Sequence, residues 1–284
     1  MITVRLKNTY QVPSRWTDFL PEHRAQFVEL CGCMEDFEKG LLTFDQFRIL
    51  ATMAIAGIDA EKIKLSTKSE DNLYENIFRL SELLDFPYEL KDNEDGSRTA
   101  YLSISLYRNV LQAGYRMEVS PSGLVDSDLT SEQYVDGLEL TDLYTRTRSE
   151  DALQRLCNTL GGRGLSRREM VAMYYNFRGL LNWLQTLPQY SLLFRKGDSR
   201  KSGDSPLGLA SSIFSLSKSG YGTLKEIKEL DFMSYLGALV QMSIESIRQL
   251  SSIGMNPGEI ADKLNLPVSE ILPHITDDYN ERSI

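Results

Sequence analysis

Apolar residues recur at three- and four-residue spacing through most of this chain, and that spacing predicts a mainly helical fold. A first helix is predicted from Pro21 to about Lys39, where Gly40 ends it. Thr43 can cap a second helix, and a third is predicted from about Ser69 to Leu84. The first half of the chain therefore indicates a helical body.

The second half carries paired signals for helix starts. A Ser or Thr with Glu or Gln three residues later forms a capping box, because each side chain satisfies a free backbone N–H. Ser149 begins a shorter predicted helix that Gly161 ends. The capping boxes and the predicted helices that follow them are Thr130 to about Thr147, Ser166 to about Leu187, and Thr223 to about Ser252.

Strand patterns are confined to two places. Residues Ile2–Leu6 alternate between apolar and polar side chains. Residues 88–91 and 99–106 also alternate and flank Asp92–Gly96, whose Asp-Gly pair favours a tight hairpin turn. Residues Val119–Asp128 are predicted to be a loop. The prediction is a mainly α (α+β) fold, with a multi-helix body, one β-hairpin that the N-terminal strand can join, and a C-terminal helix-turn-helix-like hairpin.

Four segments follow from these patterns. Residues 1–86 form an N-terminal strand and helical region, and residues 87–125 form the β-hairpin region. Residues 126–252 form the helical body, and residues 253–284 form the helix-turn-helix-like tail. Repeats of 20–50 residues are absent, which argues against a solenoid.

Composition and charge limit the classes of partner. The formal net charge of −9 argues against broad binding to nucleic acid or an anionic membrane, because the long-range field repels phosphates. The sequence lacks a signal-peptide pattern and a membrane-spanning apolar run of about 20 residues. Three cysteines with one C-x-C pair suggest reduced thiols. We expect a soluble cytoplasmic protein.

Residues that carry acid–base or metal chemistry are scarce. The two histidines, His23 and His274, lie near opposite ends of the chain. A calcium-binding loop with Gly96 at its invariant glycine position fails, because Lys91 would then be its first ligand, a cation where a carboxylate is required. We therefore predict no catalytic residue, no cofactor and no metal site. A hydrolase built on paired carboxylates remains a third hypothesis, and it requires acidic groups that converge in a pocket.

The segment Gly254–Leu272 has the apolar spacing of a helix-turn-helix. The residues predicted to pack inward are Ile260, Ala261 and Leu264 in the first helix and Val268, Ile271 and Leu272 in the second. In DNA readers the second helix enters the major groove and carries Arg, Lys, Asn or Gln. Here that helix has neither arginine nor lysine, contains Glu270 and is cut short by Pro273. A structural or partner-binding hairpin is favoured over DNA contact. The candidates for nucleic-acid contact in the tail are Asn256, Lys263 and Ser269.

One short run is densely basic. It contains Arg195, Lys196, Arg200 and Lys201, and Asp198 dilutes its charge. It could contact phosphates, but it lacks interleaved aromatic residues that would stack on bases. A solvated linker is the favoured interpretation.

Three stretches together resemble tail-morphogenesis proteins of prophages and tailed phages from anaerobic gut bacteria. The resemblance is loose and covers about half of the chain. The stretches are Val12–Leu20 with the helices that follow it as far as Leu50, Tyr175–Leu184 running into Leu193–Phe194, and Ile213–Leu216 running through Tyr221 to Leu236. In such proteins the last stretch looks like a helix that faces a partner or another subunit.

The resemblance implies a tail-assembly chaperone or a structural tail protein that acts by protein–protein interaction and is not an enzyme. It implies as partners other phage tail or assembly proteins or a second copy of the chain, in the bacterial host cytoplasm or in the virion. The predicted partner-binding residues are Trp183, Phe232, Tyr235 and Leu236, and full burial of their side chains would contradict this. The alternative is a DNA-binding regulator that uses the C-terminal segment.

Overall fold

The computed structural model describes residues 1–5, 9–58, 67–120, 125–194 and 207–275, and their fold is mainly helical. The predicted fold class is therefore confirmed. In this part of the chain the α-helices are α1 (Arg24–Glu38), α2 (Phe44–Ala56), α3 (Thr67–Leu83), α4 (Ser131–Thr147), α5 (Glu150–Thr159), α6 (Arg167–Leu184), α7 (Leu207–Lys218), α8 (Leu224–Glu229), α9 (Phe232–Ser252), α10 (Pro257–Leu264) and α11 (Val268–Ile271).

The strands of the described residues form three separate two-stranded sheets. They are β1 (Ile2–Arg5) with β2 (Thr9–Val12), β3 (Tyr88–Asp92) with β4 (Arg98–Leu102), and β5 (Met117–Val119) with β6 (Val125–Ser127). The pair β3–β4 is the predicted hairpin, antiparallel with Leu90 opposite Ala100. Gly96 in its turn has φ 79°, a backbone conformation that glycine adopts without steric cost.

Two strand predictions were wrong. The N-terminal strand pairs antiparallel with β2 and does not join the β3–β4 hairpin. Residues Val119–Asp128, predicted to be a loop, include β6 and the end of β5. Strands this short are missed because alternation cannot be recognised over three or four residues.

Two of the predicted helix starts are confirmed by capping boxes, in which side chains satisfy free backbone N–H groups of the first turn. Thr43 accepts a hydrogen bond from the Gln46 N–H, and Gln46 accepts one from the Thr43 N–H at 2.9 Å. The same reciprocal arrangement begins α8 at Thr223, where the two hydrogen bonds to Glu226 are 2.8 and 3.2 Å. Such boxes stabilise a helix end by about 1 kcal/mol.

The long helix predicted from Thr223 to Ser252 is interrupted. Helix α8 ends at Glu229, and α9 begins at Phe232. Asp231 caps α9 because its Oδ1 accepts the Ser234 N–H at 3.0 Å. The sequence contains this signal, an aspartate before an apolar helix, but the continuous apolar spacing masked it.

The chain divides into two compact units, which we call unit 1 (residues 1–126 and 143–183) and unit 2 (residues 127–142 and 184–284). These units cut across the four segments proposed from the sequence. The physical reason lies after residue 142, because the side chains of Tyr144, Arg148 and Arg167 pair with carboxylates of α1 within unit 1. Among the described residues, none of the helices is both long and apolar enough to cross a bilayer.

Unit 1 is built around an aromatic cluster. Trp16 lies edge-on to Phe86 with ring centroids 5.1 Å apart, and Phe19 packs against Phe27 at 5.6 Å. The indole N–H of Trp16 donates to the Ser103 carbonyl oxygen at 2.8 Å. This bond satisfies the one polar group of a buried indole and ties the N-terminal connector to the residues after β4.

Unit 2 is held by pairing between the start of α4 and the α8–α9 junction. The Phe232 N–H donates to the Leu129 carbonyl oxygen at 2.9 Å, and the Ser131 N–H donates to the Leu230 carbonyl oxygen at 2.8 Å. The rings of Tyr134 and Phe232 stack with centroids 5.4 Å apart. The first turn of α4 is thereby fixed to the start of α9.

Candidate functional site

The C-terminal tail forms the predicted helical hairpin. Asn256 caps α10, accepting the Glu259 N–H at 3.0 Å, and Glu259 accepts the Asn256 N–H at 3.0 Å. Asn265 ends the helix in the left-handed conformation at φ 52°, which asparagine tolerates better than most residues. The Leu266 N–H then donates to the Ala261 carbonyl oxygen at 2.9 Å, and this bond turns the chain toward α11.

A small apolar core holds this hairpin against α9. Its buried members are Ile247, Ile260, Ala261 and Ile271. The partly buried residues around it are Leu192, Leu250, Met255, Leu264, Leu266 and Ile275. The predicted packing of Ile260, Ala261 and Ile271 is confirmed. The core contains only apolar side chains, so burial of apolar surface is what holds the tail in place.

Two tail residues predicted to pack inward are exposed instead. Val268 is 42% exposed and Leu272 is 56% exposed, whereas Ile271 is fully buried. Helix α11 has a single turn and continues as a 3₁₀ turn at Leu272–His274, so only one of its sides meets α9 and α10. Residues four apart share a helix face, so Val268 and Leu272 present an apolar strip outward. We call this pair the tail strip.

A cleft of about 860 Å³ lies beside the hairpin, between the tail and the segment Gln185–Phe194. Its charged lining residues are Asp262 and Glu270, and none of the described lining residues is Arg or Lys. Ser191 Oγ donates to Glu270 Oε2 at 2.6 Å. The cleft is therefore acidic with an apolar floor, a combination that suits a cationic or apolar group and repels phosphate.

The tail residues considered for nucleic-acid contact are placed as follows. Asn256 is committed to the α10 cap, Lys263 is exposed near the end of α10, and Ser269 lines the acidic cleft. Arg195, Lys196, Arg200 and Lys201 lie outside the described residues. Between Asn256 and Ile275 the sequence has three carboxylates and one lysine. The tail is thus acidic, which gives no support to contact with DNA.

The predicted partner-binding residues do not form a surface. Phe232, Tyr235 and Leu236 are fully buried. The Tyr235 hydroxyl hydrogen-bonds the Ser212 hydroxyl at 2.5 Å inside unit 2. In unit 1, Trp183 is half-buried, and its ring centroid lies 6.1 Å from that of Tyr107. The placement of a partner surface on α9 was therefore wrong, because these aromatic and leucine side chains belong to the core.

Two glutamates of α1 form the most polar buried site of unit 1, which we call the ion network. Glu35 is 7% exposed and accepts hydrogen bonds from Arg167 Nη2 at 2.7 Å and from the Tyr144 hydroxyl. Lys39 Nζ lies 3.1 Å from the same carboxylate. Burial alone would raise the pKa of Glu35, but these three hydrogen bonds outweigh burial and lower it below its ordinary value.

Glu38 lies one helical turn further on and is neutralised in the same way. Arg178 Nη1 donates to Glu38 Oε1 at 2.6 Å, and Arg148 Nη2 donates to Glu38 Oε2 at 2.7 Å. The Tyr175 hydroxyl donates to Glu38 Oε2 at 2.9 Å. Burial would raise the pKa of Glu38, and the two arginines lower it overall.

Acid–base catalysis needs a group that can exchange a proton near neutral pH and reach a substrate. Glu35 and Glu38 meet neither condition, because each is held ionised by arginine and neither lines one of the described clefts. The hydrolase hypothesis therefore gains no pair of carboxylates here. The ion network connects α1 with α4 and α6 and has a structural role.

Cys31, Cys157 and His23 are similarly committed to the fold. Cys31 and Cys157 are buried, and burial raises the pKa of Cys157 to about 12. His23 Nδ1 accepts the Leu20 N–H at 3.1 Å. Within the described ranges, the structure contains no group of three or more His, Cys, Asp or Glu residues that could hold a metal ion. A thiol with a raised pKa is a poor nucleophile near neutral pH.

The tail strip and the acidic cleft are surface features that were not predicted from the sequence. Val268, Ile271 and Leu272 all fit the apolar spacing of a helix, which cannot tell a buried position from an exposed one in a single turn. The sequence did contain one signal that part of this turn would be exposed. Pro273 directly follows Leu272 and limits how much of the last turn can pack.

No protein-family model matches the chain, and neither a curated protein nor a solved structure matches it.

Proposed function

We propose that this chain is a non-enzymatic protein of phage-type tail assembly, acting as an assembly chaperone or as a structural tail component. Its partners in this proposal are other tail or assembly proteins, and a second copy of the chain is a further candidate. A chaperone would act in the cytoplasm of the bacterial host, and a component would also be present in the virion. The family part of the proposal rests on the sequence resemblance.

The observation that carries the binding part is the exposed tail strip. Val268 and Leu272 stand outward on a hairpin whose other side is fixed by the buried Ile271. A rigid support with an apolar strip suits helix-in-groove or helix-on-helix recognition of a partner. Scattered exposed apolar residues are normal, so the argument depends on two of them sharing one face beside a cleft.

The chemistry of the neighbouring cleft narrows the range of partner segments that could bind here. Asp262 and Glu270 supply negative charge at the rim, and Leu187, Phe194 and Leu266 supply apolar surface. We therefore expect the partner segment to present apolar side chains together with Lys or Arg. Such charge complementarity contributes mainly to specificity and to the association rate.

The test is affinity purification of the tagged chain from the cells that naturally produce it, followed by mass spectrometry. The variant is Val268→Ser with Leu272→Ser. The matched control is Leu41→Ser with Leu83→Ser, because both residues are 68% exposed and lie in unit 1. The wild type and the control are expected to recover tail proteins, and the tail-strip variant is expected to lose them.

Loss of the tail proteins from the control as well would contradict a role for the tail strip. A third variant, Phe214→Ser, addresses α7, since Phe214 is 62% exposed and lies in the stretch that resembles a partner-facing helix. Loss of the tail proteins with Phe214→Ser alone would place the partner-binding surface on α7 instead of on the tail strip. Comparison with finished particles separates a chaperone from a retained component.

The second candidate is the DNA-binding regulator. The feature that favours it is the helix-turn-helix geometry of α10, Asn265 and α11. Recovery of a specific DNA fragment without tail proteins would support it and would overturn the assembly proposal. Loss of that fragment with Lys263→Gln would assign the contact to the tail.

A further inference from the structure

A second cleft, independent of the tail, lies in unit 1 on the segment between β4 and β5. It has a volume of about 500 Å³. Its lining includes Arg108, Gln112, Gly114, Arg116 and Glu118. Nothing in the proposed tail-assembly role uses this cleft.

Two buried amides hold this segment in one conformation. Asn109 Nδ2 donates to the carbonyl oxygens of Ala113 at 2.8 Å and Tyr115 at 2.6 Å. Asn176 of α6 accepts the Val110 N–H at 2.9 Å. Both asparagines are almost fully buried, so the segment is a preorganised part of the fold.

The cleft wall is also tied to the end of α5. Gly114 has φ 77°, and a Cβ atom at this position would lie 2.3 Å from the Leu160 carbonyl oxygen. The Tyr115 N–H donates to that same oxygen at 2.9 Å. Only glycine can occupy such a close approach in this conformation, so the segment is fixed against α5 on this side.

The two arginines of the cleft differ in whether a carboxylate pairs with them. Arg116 pairs with Asp126 at 2.9 Å. Arg108 has no carboxylate partner among the described residues, since its guanidinium lies over the Tyr107 ring at 4.8 Å and donates to the Tyr107 hydroxyl at 2.8 Å. This stacking restrains Arg108, and its positive charge has no counterion within the described ranges.

Backbone donors add to this positive charge. Gln112 has φ 50° and lines the cleft with Gly114. Their two backbone N–H groups have no acceptor within the described part of the chain. Free backbone N–H groups form concave anion-binding sites where right-handed and left-handed backbone conformations alternate along the chain. An arginine side chain can complete such a site by donating two parallel hydrogen bonds to the anion.

We propose that this cleft binds the phosphate group of a small molecule, with Arg108 as its main ligand and the Gln112 and Gly114 N–H groups as additional donors. Glu118 also lines the cleft, and its charge opposes the anion. The affinity of the cleft for phosphate therefore depends on the balance between Arg108 and Glu118.

The test is an NMR titration of the ¹⁵N-labelled full chain with inorganic phosphate and with pyrophosphate at constant ionic strength. Both probes are expected to shift the Gln112 and Gly114 amide signals, while sodium chloride does not. Arg108→Gln is expected to weaken binding about tenfold or more, because a charged hydrogen-bond donor is lost. Glu118→Gln is expected to strengthen it.

The matched control is Arg155→Gln, which removes an exposed arginine of unit 1 outside the cleft and should leave the affinity unchanged. Should Arg108→Gln fail to fold, Arg108→Lys keeps the charge but not the two-pronged geometry, and weaker binding is again expected. Equal shifts in the wild type and in a folded Arg108 variant would overturn the proposal. So would shifts that follow ionic strength alone.

Discussion

The ion network of unit 1 and the tail of unit 2 are held together by opposite means. The network buries Glu35, partly buries Glu38, and neutralises both with arginines and tyrosine hydroxyls. The tail buries three apolar residues against Ile247 of α9, and two of its carboxylates, Asp262 and Glu270, line the acidic cleft. Removing one partner from the ion network should lower the free energy of unfolding strongly. Substitutions on the outer side of the tail should change it little.

This difference distinguishes charges that stabilise the fold, in the ion network, from a surface that is available for binding, the tail strip. A buried charge that loses its partner destabilises the fold strongly, so the ion network has little freedom to take part in binding. The tail strip is exposed and makes no contribution to the core, so it can be altered without unfolding the chain. The predictions below test this separation, beginning with the largest expected effect.

Removing one carboxylate of the ion network should cost the most. Glu38→Gln leaves Arg148 and Arg178 without a buried counterion, and we expect a loss of about 3 kcal/mol in the free energy of unfolding. Urea denaturation measures it. Glu29→Gln is the control, because its pair with Arg168 is exposed and should contribute less than about 1 kcal/mol. Equal losses for the two variants would contradict a structural role for the network.

The apolar core of the tail should respond to a cavity. Ile260→Ala removes buried methyl and methylene groups, and a loss of about 2 kcal/mol or more is expected in the local stability of the tail. Amide hydrogen exchange of α10 measures this loss. Exchange of α1 should not change. Unchanged protection of α10 would mean that the tail is held by something other than this core.

The stability of the two regions should depend differently on pH. The pKa of Glu38 is lowered below its ordinary value of 4.5 in the folded chain, so its contribution is present above about pH 4.5 and is lost as the pH falls through the folded-state pKa. The difference in unfolding free energy between the wild type and Glu38→Gln should therefore shrink on acidification. The difference for Ile260→Ala should stay constant, and denaturation at a series of pH values compares the two.

The smallest effect is expected at the tail strip. Val268→Ser with Leu272→Ser should change the free energy of unfolding by less than about 0.5 kcal/mol per residue, since both side chains are about half exposed and neither belongs to the apolar core of the tail. Ile271→Ser, on the buried side of the same turn, should be clearly destabilising. A large loss for the double variant in urea denaturation would show that the strip is packed and not available to a partner.

Local signals in the sequence predicted much of this fold. The boxes at Thr43, Thr130 and Thr223 and the Asp-Gly turn at Gly96 act over a few residues, so they can be recognised without tertiary information. The short strands were missed because alternation is hard to recognise over three or four residues, and the α8–α9 break was missed because continuous apolar spacing masked the Asp231 cap.

The candidate sites were harder to predict than the fold. Phe232 and Leu272 both fit an apolar helical pattern, yet the first is buried and the second exposed. Glu35 and Glu38 look like surface carboxylates until Arg167 and Arg178, more than a hundred residues away, are brought to them. Which face is covered depends on tertiary packing, and a single sequence does not contain that information explicitly.

The most direct test of the tail strip is site-specific photo-crosslinking in the cells that produce the chain. A photoreactive amino acid replaces Leu272 in one variant and Leu41 in the other, which are both exposed. The account predicts covalent adducts with a tail or assembly protein from position 272 and none from position 41. Absence of adducts at 272, or the same adducts from both positions, would contradict it.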